Sequence, residues 1–167
     1  MDEPLIEAFR YHRWANLHLL DVCSKLSDEQ LQLTAPGTYG TIAATFLHLL
    51  SAEQRYLHRL TPGTEPEIDE REAAPSLAVL RRLAARGGDQ LIEAAGRITP
   101  EDTFDEEHDG YLMRLHLGVV LVQAMHHGND HRTHICTILG SHNIPYGDVD
   151  VWAYGDAIGA IVPIATP

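Results

Sequence analysis

One apolar run near the end of the chain, from Leu117 to Leu139, constrains the fold more than any other stretch. Its length and its three- and four-residue spacing of apolar side chains predict one long helix. The run also contains four of the chain's eleven histidines, namely His126, His127, His131 and His134. A helix buries its apolar stripe against other elements, so histidines beside that stripe face the interior of the fold.

His127 and His131 are four residues apart, so their rings stand on one face of the helix and can reach one point. On a helical wheel they lie at the margin of the apolar stripe, whereas His126 and Asp130 project toward solvent. Two inward imidazoles need polar partners, and a metal ion is the favoured explanation. Mutual hydrogen bonding, or contact with a buried acid, is the alternative. His134 lies one turn further along the same edge, where it either supports a ligand or lines the site.

Apolar periodicity elsewhere predicts three more long helices and a short one. Their predicted spans are Pro4 to Leu26, Thr41 as N-cap to Leu60, Pro75-Ser76 through Ile92, and a last short helix from Asp148 to Ile161. Four amphipathic helices without sustained strand-like alternation predict an all-α protein. We therefore expect an antiparallel four-helix bundle with a short extra C-terminal helix, as a single domain over residues 1–167.

Local signals refine this outline. Ser27 followed by Gln30 makes a capping box and predicts a short helical turn. Gly87-Gly88 predicts a weak point or a bend inside the third long helix. Asp109-Gly110 is a turn sequence between two short segments, which form a small hairpin or an irregular crossover. Gly140 is the expected end of the fourth long helix.

The charge and the cysteine content limit the classes of partner. A net charge of −12 argues against a nucleic acid or an anionic membrane, because both require clustered positive charge. The acidic start of the sequence is unlike a signal peptide, and no stretch of about twenty apolar residues is present. Two isolated cysteines fit a reducing compartment. We expect a cytoplasmic protein that acts on a small molecule.

His48 falls beside the apolar stripe of the second long helix, next to the small residues Ala44, Thr45 and Ala52. Small neighbours leave room for a ligand between helices. A single histidine at a helix flank is nevertheless more often exposed or hydrogen-bonded than bound to a metal. From the residues alone both interpretations of His48 stay open.

Three segments together resemble the DinB-like family of four-helix-bundle proteins. They are Trp14-Ala15-Asn16, the segment from Thr41 to Glu53 with its central His48, and His127-x-x-x-His131-Arg132. The resemblance implies that His48, His127 and His131 hold a divalent metal, with water in an open position. The chain departs from the common family pattern at Thr133-His134, where many members have Gly-Gln.

The resemblance also implies a chemistry. Three neutral imidazoles leave the charge of a metal ion undiminished, so that it acidifies bound water or binds a thiol as thiolate. Zinc or nickel is the favoured divalent transition metal. Similar proteins are thiol-dependent S-transferases and isomerases that use mycothiol or bacillithiol, and a hydrolase is a further expectation. The alternative is a non-catalytic, stress-linked metal or small-molecule binding protein, which would form a homodimer through an apolar helix face.

Other residues have plainer interpretations. His127 to His131 with Asp130 imitates the inverted zinc-protease pattern His-x-x-Glu-His, although Asp130 turns away from the histidine face. Trp14 and Asn16 either line a pocket near the metal or belong to the core. Glu53 is expected to be solvated or ion-paired, and Arg132 to pair with a nearby acid. His12 is expected to be an ordinary scattered histidine. No residue is assigned a catalytic role.

Overall fold

The computed structural model describes residues 4–164, and in this range the chain forms six helices and one β-hairpin. The four long helices are α1 (Pro4–Cys23), α3 (Ile42–Leu60), α4 (Leu77–Arg97) and α5 (Leu117–Ser141). The short ones are α2 (Asp28–Leu31) and α6 (Val151–Ala157). The prediction of a four-helix bundle with a short extra C-terminal helix is confirmed. None of the helices in residues 4–164 has the length and apolar character needed to span a bilayer.

The long helices form a closed ring in which α1 contacts α4, α4 contacts α3, α3 contacts α5 and α5 contacts α1. Two apolar clusters fill the interior. One includes the fully buried Phe46 and Ile135, and the other includes the fully buried Phe9 and Leu91. Burial of these apolar side chains supplies the main driving force for the fold. The interface between α3 and α5, which we call the seam, contains the candidate histidines His48, His127 and His131.

Side-chain caps begin three of the helices where the sequence predicts them. Ser27 Oγ accepts a hydrogen bond from the backbone of Gln30 at 3.2 Å, and the Gln30 side chain accepts one from the backbone of Ser27 at 3.0 Å. Thr41 caps α3 and Ser76 caps α4 in the same way. Each cap satisfies a backbone N–H that the first helical turn leaves without a partner. The Thr41 cap fixes the start of α3 at Ile42, six residues before His48.

The segment after α4 is a two-stranded antiparallel hairpin, of β1 (Thr103–His108) and β2 (Tyr111–His116). Its two turn residues, Asp109 and Gly110, have φ values of 48° and 84°. Positive φ at both positions is what a tight hairpin turn with right-handed strand twist requires. Of the two expectations for this segment, the hairpin is therefore correct, and β2 leads directly into α5.

Gly87-Gly88 does not divide the third long helix, because α4 is continuous from Leu77 to Arg97. Both glycines are buried, and a Cβ atom at Gly88 would lie 2.4 Å from Cγ of Arg13. The missing side chain therefore lets α1 approach α4 closely. The glycine pair serves helix packing, which the periodicity of one helix does not reveal.

Three predicted helix ends are wrong by a few residues. The first long helix ends at Cys23 rather than Leu26, and the fourth continues past Gly140 to Ser141. Asn143, with φ of 56°, takes the left-handed conformation that the prediction gave to a glycine. The last helix begins later than predicted because Asp150 caps it, accepting a hydrogen bond from the backbone of Ala153 at 2.8 Å, and it ends at Ala157 rather than Ile161.

Candidate metal centre

Three histidines face one another across the seam between α3 and α5. His48 lies in the second turn of α3, and His127 and His131 lie one turn apart in the middle of α5. The ring centroids are 5.1 Å apart for His48 and His127, 4.7 Å for His48 and His131, and 4.3 Å for His127 and His131. Each ring offers one nitrogen, and these three nitrogens lie within 4.8 Å of one another. We call these residues the histidine triad.

The nitrogen positions fit a shared metal ion. Nε2 of His48 lies 3.2 Å from Nε2 of His127. Two nitrogens that bind one zinc ion tetrahedrally, each at about 2.0–2.1 Å, are roughly 3.3 Å apart. Nδ1 of His127 and Nδ1 of His131 are buried, and no residue in the described range 4–164 hydrogen-bonds to them. The Nδ1 atoms of these two rings thus lack the partners that buried histidine nitrogens ordinarily have, and Nε2 of His127 has another imidazole nitrogen as its neighbour, so the triad matches the donor set of a metal site.

The protonation states of His127 and His131 also suit metal binding. Burial, reinforced by repulsion from His48, lowers the pKa of His127 to about 4. Burial, reinforced by repulsion from His127 and His48, lowers the pKa of His131 to about 4. Both imidazoles are therefore neutral near pH 7. Only a neutral ring offers a nitrogen lone pair to a metal ion.

Comparison with known proteins identifies the family. A family model described as the DinB family matches residues 1–142 of the chain. The chain belongs to the DinB family. The stretch that matches begins before α1 and extends beyond α5, so it includes all three histidines of the triad.

The fold of this DinB-family chain is similar to that of a solved DinB-like protein from Bacillus cereus ATCC 10987. The two share 21% sequence identity with a TM-score of 0.66, and the match covers 87% of this chain and 95% of the other. At this identity the likeness concerns the fold alone. The search of curated proteins found no match.

Two residues near the triad in sequence stand apart from it in space. His126 and Asp130 form an ion pair at 3.1 Å on the outer face of α5, where their side chains are 67% and 57% exposed. The helical wheel predicts that both side chains face solvent, and their exposure confirms it. Asp130 is thus turned away from the triad, and the inverted zinc-protease arrangement is not formed by these residues.

His134 lies beside the triad but outside the set of three converging nitrogens. Its ring meets the ring of His131 edge-on, with centroids 5.3 Å apart. Nδ1 of His134 is buried, and among residues 4–164 it has no hydrogen-bond partner. This DinB-family chain therefore places an additional imidazole at the edge of the site, at the position where its sequence departs from the common pattern.

Trp14 and Asn16, the other two candidate pocket residues, lie on α1. The Trp14 ring packs against His18, with centroids 5.2 Å apart, and against Tyr154 of α6 at 5.7 Å. Asn16 is 1% exposed and donates a hydrogen bond of 2.8 Å to Glu53. Neither residue has a contact with the triad among the ring contacts and hydrogen bonds of the described residues, 4–164.

Asn16 instead belongs to a second polar cluster, which we call the buried network: His12, Asn16, Glu53 and Arg132. His12 is fully buried and its Nε2 lies 2.6 Å from Glu53, which is only 2% exposed. Arg132 is 3% exposed and donates to Asn16 at 2.7 Å, and its Nη1 lies 3.2 Å from Nδ1 of His12. The expectation that His12 is an ordinary scattered histidine is wrong, and Glu53 is buried and hydrogen-bonded to His12 and Asn16 rather than solvated.

The charges of the buried network balance. Burial lowers the pKa of His12, and this effect outweighs the opposite influence of Glu53. Burial would raise the pKa of Glu53, but the attraction and hydrogen bond of His12, with those of Asn16 and Arg132, lower it. A neutral His12 then donates from Nε2 to the Glu53 carboxylate and accepts at Nδ1 from Arg132. The ionised Glu53 and the cationic Arg132 offset each other, which buried charges require.

The structure adds contacts to the triad that sequence reasoning missed. The Tyr39 ring stacks on His48 with centroids 4.1 Å apart, and Tyr56 meets His127 edge-on at 5.7 Å. Nδ1 of His48 lies 2.5 Å from Oε2 of Glu70. Tyr39 and Glu70 lie in loops without apolar periodicity, so the sequence offered no signal for them. Tyr56 is eight residues after His48, and helical spacing could have placed it on the same face.

Proposed function

We propose that this DinB-family protein binds one divalent transition-metal ion through His48, His127 and His131. The observation that carries the proposal is the convergence of three imidazole nitrogens within 4.8 Å, on two helices of the bundle. The low pKa values of His127 and His131 support it, because they keep both rings available as ligands at neutral pH. Zinc and nickel are the favoured ions, since neutral imidazole nitrogens suit both.

We further propose that the metal serves a reaction rather than the fold. The bundle buries two apolar clusters, and a chain of 167 residues is long enough for such a core to stabilise the fold without a structural metal. A metal held by neutral ligands would acidify a bound water or thiol. The resemblance noted above favours thiol-dependent S-transfer or isomerisation with a bacterial thiol such as mycothiol or bacillithiol, and hydrolysis of a small molecule comes next.

The contribution of the protein's own residues is mainly geometric. His48, His127 and His131 would hold the ion from one side of the seam. Tyr39, whose ring stacks on His48 while remaining 49% exposed, would form part of the wall that a substrate meets. Tyr56 would close the opposite side against His127. A cytoplasmic location and a homodimer remain expectations from the sequence.

Elemental analysis of protein purified without a histidine tag tests the metal proposal. We expect about one transition-metal ion per chain in the wild type, and its loss in His48→Ala, His127→Ala and His131→Ala. His126→Ala is the matched control, because His126 lies on the same helix but pairs with Asp130 at the surface. Equal metal content in all four variants, or none in the wild type, would overturn the proposal.

A second experiment tests the reaction class. The metal-loaded protein is assayed with electrophilic small molecules in the presence of mycothiol or bacillithiol, and with ester and amide substrates without thiol. Turnover that depends on thiol and is lost in His131→Ala supports the transferase or isomerase. Turnover without thiol supports the hydrolase. Stoichiometric metal with no turnover in either assay would instead support the non-catalytic binding protein.

A further inference from the structure

The loop between α3 and α4 brings a carboxylate to the back of the triad. Oε2 of Glu70 lies 2.5 Å from Nδ1 of His48. An ionised carboxylate only accepts hydrogen bonds, so the proton of this contact belongs to Nδ1 of the histidine. In the neutral form of the ring, the only form that can bind a metal ion, Nε2 of His48 then bears the lone pair. Nε2 is the nitrogen of His48 that faces the other triad histidines, and it lies 3.2 Å from Nε2 of His127.

Glu70 reaches His48 because the loop is anchored on α3. The buried side chain of Gln54 accepts hydrogen bonds from the backbone N–H groups of Glu67, at 2.6 Å, and Ile68, at 3.2 Å. Ile68 also packs against the apolar core. These contacts lie two and three residues before Glu70, so they limit the path of the loop at the point where it passes the triad.

A cation on α3 holds the other oxygen of the carboxylate. Nη2 of Arg55 lies 3.6 Å from Oε1 of Glu70, and Nη1 of Arg55 donates a 2.7 Å hydrogen bond to Ser51. The two oxygens of Glu70 thus have different partners, and this arrangement directs Oε2 toward His48. The Glu70 side chain is 34% exposed and that of His48 is 19% exposed, so water competes only partly for this contact.

His48 is distinguished by this contact from the other two members of the triad. Nδ1 of His127 and Nδ1 of His131 have no hydrogen-bond partner among the described residues. A carboxylate behind a metal-binding histidine fixes the protonated ring nitrogen and the ring orientation, and makes the other nitrogen a better donor to the metal. Within residues 4–164, Glu70 is the residue placed to do this for the triad.

We propose that Glu70 is a positioning residue for the metal site, which holds His48 with Nδ1 protonated and Nε2 directed at the ion. The inference rests on the proposed function, since it concerns the same three histidines. It adds a residue from a loop that lies outside all three segments of the family resemblance. Loss of such a supporting carboxylate costs about 10–100-fold in metal affinity.

Zinc affinity measured by chelator competition at a fixed pH tests the consequence for the metal. We expect Glu70→Ala to bind zinc about 10–100-fold more weakly than the wild type. Glu70→Gln should fall between the two, because an amide oxygen still accepts the hydrogen bond but carries no charge. Glu72→Ala, an exposed change two residues along the same loop, is the matched control and should bind as the wild type does. Equal affinity of Glu70→Ala and Glu72→Ala would overturn the proposal.

Nitrogen NMR of the His48 ring in metal-free protein tests the cause and does not depend on metal binding. We expect the proton on Nδ1 in the wild type and in Glu72→Ala, and a shift of the population toward Nε2–H in Glu70→Ala. If His48 keeps the Nδ1 proton in Glu70→Ala, Glu70 does not position the ring. If the wild type binds no zinc, the proposed function fails, and this measurement alone then decides whether Glu70 orients His48.

Discussion

The buried network and the histidine triad are two polar clusters in one bundle, and they differ in how their polar atoms are satisfied. In the network, His12, Asn16, Glu53 and Arg132 bond to one another across α1, α3 and α5. In the triad, ring nitrogens of His127 and His131 are buried without partners among residues 4–164. Since unpaired buried groups destabilise a fold, the difference indicates a structural role for the network and supports the proposal that the triad binds a ligand.

The two clusters share α5 and are interleaved along it. His127 and His131 face α3, while Gly128 and Arg132, one residue later in each case, face the network. The network therefore fixes the helix that presents two of the three histidines of the triad. It follows that changes in the network should affect stability most, and changes in the triad should affect metal binding most.

Removal of the cation from the network should have the largest effect on stability. Arg132→Met leaves the Glu53 carboxylate buried without its balancing charge, and we expect a loss of about 3–5 kcal/mol in the free energy of unfolding. Denaturant unfolding of metal-free protein measures it, with Arg82→Met, an exposed arginine on α4, as the control. A loss as small as the control's would mean that the network does not stabilise the bundle.

Gly128→Ala should have the next largest effect. A Cβ atom at this position would lie 2.2 Å from Cε1 of His12, inside the network. The ring of His12 would have to move away from Glu53, and we expect a loss of about 1–3 kcal/mol. Gly118→Ala, on the same helix with no atom within 4 Å of the added carbon, should be neutral or stabilising by up to about 1 kcal/mol. Equal effects of the two changes would contradict the close contact.

Lowering the pH should reduce the free energy of unfolding through the triad, by less than the two substitutions above. The pKa values of His127 and His131 are about 4 in the folded protein, against 6.5 for an ordinary histidine. Between these values the unfolded chain takes up protons that the folded, metal-free protein does not. Their contribution to stability is therefore fully present above pH 6.5 and is lost as the pH falls toward 4.

Unfolding of metal-free protein across this pH range measures the effect. The double variant His127→Gln/His131→Gln should show a shallower dependence on pH than the wild type. The dependence that remains includes His12, whose pKa burial also lowers. An unchanged pH dependence in the double variant would show that these two rings titrate normally and are exposed to solvent.

The helices of the bundle were predictable because each one repeats an apolar stripe, and two of the long ones begin at a capping residue. Thr41 and Ser76 cap α3 and α4 as expected. Features that depend on contacts between helices were not. Gly88 looked like a weak point in one helix, although its role is to admit Arg13 of another. The left-handed residue after α5 is Asn143 rather than a glycine, which the sequence alone did not reveal.

In the candidate site, too, the features local to one helix were predictable and the contacts between elements were not. Helical spacing pairs His127 with His131, but only the family resemblance joined His48 to them. The buried network was missed because its members come from three helices and each looks ordinary in its own. Glu70 was missed because a loop has no periodicity from which to infer the direction of a side chain. Local patterns report local geometry, and partners distant in sequence become visible only in the folded chain.

The central claim is that the triad, and not the neighbouring histidines, holds a metal ion. Anomalous X-ray diffraction from crystals of tag-free protein, measured at the absorption edge of the metal found by elemental analysis, tests it most directly. We predict one peak at about 2.0–2.2 Å from a ring nitrogen of each of His48, His127 and His131, with His48 bound through Nε2. A peak at His126, His134 or the buried network with none at the triad would contradict the account.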